Sequence, residues 1–139
     1  MNALDTNVLV YLLSADERKV TISKRLLEGD IVISVQVLNE LTNVARRKAK
    51  MDWSDIARFV ENVKTLCTVT PLTVRIHDEG RRLAERYRLS TYDALICAAA
   101  LDSGVERLYS EDMQHGLEID GTLRIVDPYR DPDVSGPTP

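Results

Sequence analysis

The feature that most restricts this chain is an alternation between two periods. Short strand-like runs (Asn2–Leu4, Ile31–Ile33, Thr68–Thr70, Arg107–Ser110 and Arg124–Asp127) are interleaved with longer stretches of helical spacing. Val8–Leu13 reads as a short apolar helix, and Lys19–Glu28 as an amphipathic one stopped by Gly29-Asp30. Ser34 is placed to cap a helix running through Lys48, with Val37, Leu38, Leu41, Val44 and Ala45 on one side. Further helices start near Ser54, with Ile56, Phe59, Val60, Val63 and Leu66 in register, and after Thr73, with Ile76, Gly80, Leu83, Ala84 and Tyr87. Ser90 or Thr91 caps a helix from Asp93 to about Ser103 that is apolar nearly all round and must therefore be buried. Strands separated by helices are joined by crossovers, and crossovers make parallel neighbours. The expected class is α/β, with a central, mainly parallel β-sheet flanked by α-helices.

In such sheets ligands bind beyond the carboxyl ends of the strands. Asp5 ends the first strand, Asp112 stands just past the Arg107–Ser110 strand, and Asp93 opens the apolar helix. Glu40 lies one turn from Val37 and Val44, at the edge of a buried stripe. Each has an ordinary structural role available. Asp5 is a good helix cap, Ser90-Thr91-Tyr92-Asp93 fits a capping box, Asp112 suits a turn, and Glu40 could pair with an arginine. Their joint placement says more. Four carboxylates about 5 Å apart repel by ~3 kcal/mol per pair at an effective dielectric of 20, a sum comparable with the whole stability of a domain. Such a cluster persists if acids protonate or hard cations bind, and oxygen-only ligation favours Mg²⁺ or Mn²⁺.

Composition removes several classes. The 139 residues suit one domain, and 44% hydrophobic with 29% charged is ordinary globular usage. Phe59 is the sole Phe and aromatics make up 5%, too few for an extended base-stacking platform. Net charge is −4, yet the stretch from Arg46 to Arg88 holds 11 Lys+Arg against 6 Asp+Glu, so a basic region is present despite the acidic total. Subtracting the four site acids from 22 Asp+Glu leaves 18, equal to the 18 Lys+Arg. Cys67 and Cys97 lack metal-ligand spacing and read as reduced core residues. The longest apolar run, Ala94–Leu101, is too short for a membrane span, and no signal-like core follows Met1, so a cytoplasmic protein with no membrane partner is expected. Arg130–Pro139 is rich in Pro, Asp, Ser and Gly; the domain is expected to occupy 1–128 and a disordered tail 129–139.

Leu4-Asp5-Thr6-Asn7-Val8-Leu9, Asn39-Glu40-Leu41, Tyr92-Asp93-Ala94-Leu95-Ile96 and Ser110-Glu111-Asp112-Met113 carry a resemblance to the PIN-domain ribonucleases, and most closely to the VapC-type toxins of toxin–antitoxin pairs. The resemblance implies a PIN-like fold and Mg²⁺-dependent endoribonuclease activity, with Mn²⁺ as an alternative ion. Asp5, Glu40, Asp93 and Asp112 correspond to the acidic quartet. Asp5, Asp93 and Asp112 are the expected metal ligands, with Glu40 acting through water or a second ion. Asn7 and Ser110 correspond to supporting positions. Glu111 adds a neighbouring acid; the hydroxyl-x-Asp spacing favours Asp112 over it. Water attack on phosphorus would leave 5′-phosphate and 3′-hydroxyl ends. The resemblance also implies a cognate antitoxin and a homodimer. An RNA backbone needs cations, for which Arg46, Arg47, Lys48 and Lys50, and Arg81, Arg82, Arg86 and Arg88, are candidates. The alternative is a PIN-like module that binds RNA or protein without cleaving. A haloacid-dehalogenase-type phosphatase is disfavoured because its Asp-x-Asp signature needs an acid where Asn7 stands.

Overall fold

The computed structural model describes residues 1–135. Six strands form one sheet: β1 (Asn2–Leu4), β2 (Ile31–Ser34), β3 (Thr68–Thr70), β4 (Arg107–Tyr109), β5 (Glu118–Ile119) and β6 (Leu123–Val126). Their order across the sheet is β3-β2-β1-β4-β6-β5. Every pairing is parallel except β5 with β6. The helices are α1 (Thr6–Val10), continued by a 3₁₀ turn Tyr11–Leu13, α2 (Glu17–Leu27), α3 (Val35–Arg47), α4 (Trp53–Leu66), α5 (Val74–Tyr87), α6 (Thr91–Asp102) and α7 (Pro132–Ser135). The α/β class with a mainly parallel sheet is the one expected from the alternation of periods.

Local chemistry explains the boundaries. Side chains of Ser34, Asp52, Thr73 and Ser90 each accept a hydrogen bond from a backbone N–H in the first turn of α3, α4, α5 and α6 respectively. Helix α6 has seven consecutive buried residues, Ala94–Ala100, as its all-round apolarity demands. It packs along α5 and touches β2 and β6. The α5–α6 approach is close enough that a Cβ on Gly80 would stand 2.7 Å from Leu95 Cδ2.

Two features depart from the sequence reading. The antiparallel β5 is two residues long, below what a periodic pattern can register. The chain also stays attached past residue 128. Tyr129 is buried, its hydroxyl 2.8 Å from Ser23 Oγ and its carbonyl accepting from Arg18 at 2.7 Å, and Pro132–Ser135 is helical. The final part of the expected disordered tail, 136–139, lies outside the described residues. Both cysteines are free. Among the described residues no helix is long and apolar enough to cross a membrane.

The topology creates one privileged place. From β1 the chain proceeds outward through β2 and β3, then returns to β4 on the other side of β1. Between β1 and β4 the connections depart in opposite directions, which opens a crevice at the strands' carboxyl ends. Leu4 pairs with Tyr109, so Asp5 and Ser110 are the next residues at that crevice.

Candidate active site

Asp5 leaves β1 and caps α1. Its Oδ1 accepts from Thr6 N at 2.7 Å; its Oδ2 accepts from Asn7 Nδ2 at 3.1 Å and from Ser110 Oγ at 2.7 Å. The residue is 3% exposed. Burial pushes its pKa up to about 6; the bonds from Ser110 and Thr6 pull it down, and the charges of Asp93 and Glu40 push it further up. Both neighbours are raised in turn. Glu40, on α3, rises through burial, is lowered by Gln36 and Thr6, and is raised by Asp93. Asp93, in the first turn of α6, rises through burial, is lowered by Ser90 and is raised by Asp112. The charge coupling links four acids from four separate parts of the chain.

Asp5, Glu40, Asp93 and Asp112 line a single open cavity of about 300 Å³. Thr6, Asn7, Val10, Tyr11, Val44, Lys48 and Glu111 complete its wall. Asp112 is exposed at the tip of the turn after β4. Ser110 closes that turn, since its Oγ donates to Asp5 and accepts from Met113 N at 3.1 Å. Asn7 has a double engagement as well, donating to Asp5 and accepting from Glu111 N at 3.1 Å. The two supporting residues therefore bind the first acid to the turn that carries the last.

Two further residues bear on the site and were not singled out by the sequence. Gln36, one turn before Glu40, donates from Nε2 to Glu40 Oε2 at 3.1 Å; the i, i+4 spacing on α3 is a signal that could have found it. Thr6 Oγ1 is buried with no partner in hydrogen-bonding geometry, although it lies near enough to Glu40 to lower its pKa. Nothing in the sequence marks a hydroxyl as orphaned. Glu111 lies on the cavity wall but is engaged elsewhere: Tyr11 OH donates to its Oε1 and Lys19 Nζ to its Oε2.

The residues suit a hard divalent ion in their chemistry. The wall presents carboxylate oxygens, a buried hydroxyl without a partner, and three acids raised by burial and, secondarily, by the charges of neighbouring acids. Among the described residues no three His, Cys, Asp or Glu side chains stand close enough to share one ion directly. Mg²⁺ commonly keeps several waters and takes only one or two carboxylates directly, so a dispersed acid wall fits its chemistry.

The PIN domain profile matches residues 3–115, a span that includes all four acids. The chain belongs to the PIN-domain family. No curated protein sequence is significantly similar to it. Among solved structures it is similar to a toxin–antitoxin complex from Klebsiella pneumoniae, at 22% identity and TM-score 0.70 over 93% of this chain and 98% of that one. It is also similar to VapC20 of Mycobacterium tuberculosis, a toxin that cleaves the sarcin–ricin loop, at 20% identity and TM-score 0.67 over 81% and 90%. VapBC2 of Rickettsia felis, solved with a DNA fragment from its promoter, gives 19% and 0.64 over 89% and 96%. These identities speak to a shared fold.

In this PIN domain the candidate RNA-contacting cations lie in different settings. Lys48, the C-cap of α3, lines the acid cavity. Arg46 stacks over Trp53 and donates to Met51 O. Arg82 pairs with Glu79 and Asp120, Arg86 lies over the Tyr87 ring, and Arg88 closes α5 in the left-handed conformation. Arg47, Lys50 and Arg81 are exposed, and like these others they are not part of the cavity wall.

Proposed function

We propose that this PIN-domain protein is a divalent-metal-dependent endoribonuclease and the toxin of a toxin–antitoxin pair. The observation that carries the reading is the convergence of Asp5, Glu40, Asp93 and Asp112 on one cavity at the sheet's switch point. Membership of a nuclease family and a fold shared with toxins supply the context. Asp5, Asp93 and Asp112 would hold Mg²⁺ or Mn²⁺ directly or through water, with Glu40 holding its water or a second ion. The ion, when bound, supplies a lowered water pKa and charge stabilisation at phosphorus.

The chain's own part is orientation. Ser110, Asn7 and Thr6 N hold Asp5 in one rotamer through three hydrogen bonds. Gln36, one turn earlier on the same helix, holds Glu40. Lys48 offers the cavity wall's cation for a substrate phosphate once RNA is seated, and Glu40 is placed to accept a proton from an attacking water. An antitoxin and a second copy are the expected protein partners, and the cytoplasm the expected compartment.

The test is cleavage of cellular RNA by purified protein. Asp5→Asn and Asp93→Asn are each expected to lower the rate at least 100-fold while the circular dichroism spectrum stays unchanged, and chelator should abolish activity reversibly. Full cleavage in chelator, or by either variant, would overturn the nuclease reading. Calorimetry without Mg²⁺ or Mn²⁺ uptake would favour a non-cleaving binding module instead.

A further inference from the structure

Glu111 lines the cavity beside the four acids, yet its carboxylate is already engaged. Its Oε2 accepts from Lys19 Nζ at 2.5 Å, its Oε1 accepts from Tyr11 OH, and Lys19 Nζ donates to Tyr11 OH at 2.9 Å. The ammonium lies 4.6 Å from the Tyr11 ring centroid and 5.2 Å from that of Tyr129. Those rings meet edge to face at 5.0 Å, and Tyr129 is itself tied down by Ser23 and Arg18. Helix α2, the 3₁₀ turn after α1, the turn after β4 and the C-terminal segment thus meet at one ion pair.

That ion pair is adjacent to the acid whose position has least support of its own. Asp112 makes no hydrogen bond among the described residues, and it stands between two anchored neighbours. Met113 is buried, with its N–H on Ser110 Oγ. Glu111 is held by its N–H on Asn7 and by its carboxylate on Lys19 and Tyr11. We propose that Lys19, with Tyr11, is a positioning device for the metal site: it ties the Glu111 carboxylate down at the cavity rim, and Glu111 so held aims Asp112 into the cavity. Lys19 also cancels the fifth negative charge of the wall, so that, among the described residues, four of its five acids remain without an ion pair. The inference rests on the nuclease reading for the role of Asp112.

The test measures Mn²⁺ affinity of the full chain by calorimetry and amide exchange at residues 110–114 in the metal-free protein, beside cleavage kinetics. Lys19→Met is expected to weaken Mn²⁺ binding on the order of 10–100-fold, the range for partners that orient a ligand, and to speed exchange in the 110–114 turn. Lys19→Arg should restore most of the affinity. Tyr11→Phe, which removes one hydroxyl and keeps the ring, should give a smaller loss of the same kind. Because Lys19 acts through Glu111 and Asp112, adding Lys19→Met to Glu111→Gln or to Asp112→Asn should cost little beyond the single change. Cleavage should fall through kcat, with KM for RNA little altered. If Asp112→Asn weakens Mn²⁺ binding while a folded Lys19→Met does not, the positioning role is overturned and the nuclease reading stands. If Asp112→Asn itself changes neither binding nor cleavage, it is the reading of the metal site that fails.

Discussion

Asp5 is held by three hydrogen bonds and yet carries a pKa pushed up to about 6, because burial and the facing Asp93 and Glu40 outweigh what the bonds contribute. A carboxyl whose folded pKa lies above its usual 3.8 favours the folded state below that usual value and loses the contribution as pH rises through about 6. At about 1.4 kcal/mol per tenfold change, the ionised group costs the metal-free fold about 3 kcal/mol at neutral pH. Asp5→Asn is therefore expected to stabilise the metal-free chain at pH 7.5 by about 1–3 kcal/mol, the amide fitting Ser110 and Asn7 less well than the carboxylate does. Below pH 4 the two proteins should converge. Urea unfolding at both pH values in chelator checks this, and a variant less stable at both would show that the hydrogen bonds dominate. The same residue would be indispensable for the ion and unfavourable without it.

At the scale of elements, α6 is the main support of the site. It presents Asp93 at its capped end while Ala94–Ala100 are buried without interruption, and the small residues let α5 come near. Gly80 faces Leu95 at a distance that leaves no room for a side chain. Gly80→Val should overpack this contact and cost about 1–3 kcal/mol, lowering Tm by roughly 3–9 °C. Calorimetric melting reads the effect directly, and an unchanged or higher Tm would mean that Leu95 yields without strain. The helical patterns, the Ser34 cap and the buried character of α6 were legible in the sequence, because apolar spacing and capping chemistry are local; the caps Asp16 and Asp52 were not singled out. The 3₁₀ turn at Tyr11–Leu13 and the two-residue β5 were not, since so few residues carry no period.

At the scale of the molecule, the C-terminal segment is part of the domain's fabric. Its composition reads as tail, yet Tyr129 is buried beneath contacts from Arg18 and Ser23 and forms one wall around Lys19. Truncation after Pro128 should destabilise the chain by about 2–4 kcal/mol, near the lower end of the cost of removing a large buried aromatic, and should weaken Mn²⁺ binding through Lys19. Unfolding of the truncated chain at the full-length midpoint would count against this. The acidic total fits the same picture: the excess of 22 Asp+Glu over 18 Lys+Arg equals the four acids of the cavity.

The strand and helix periods, the order in which they alternate, the three Asp at strand ends or a helix start and Glu40 at the edge of an apolar helix stripe follow from the sequence alone, because each depends on neighbours within a turn or two. From these the α/β class and the candidate quartet could be read, with the PIN resemblance as support. The hydroxyl-x-Asp spacing favours Asp112 over Glu111 for the site, but how Glu111 is engaged could not be read. Both line the cavity, and the Glu111 carboxylate is paired with Lys19 and Tyr11, 92 and 100 residues away in the chain. Gln36 beside Glu40, the orphaned Thr6 hydroxyl and the docking of Tyr129 depend likewise on where side chains meet in space. Only folding brings such groups within hydrogen-bonding distance, so only the tertiary structure could decide them.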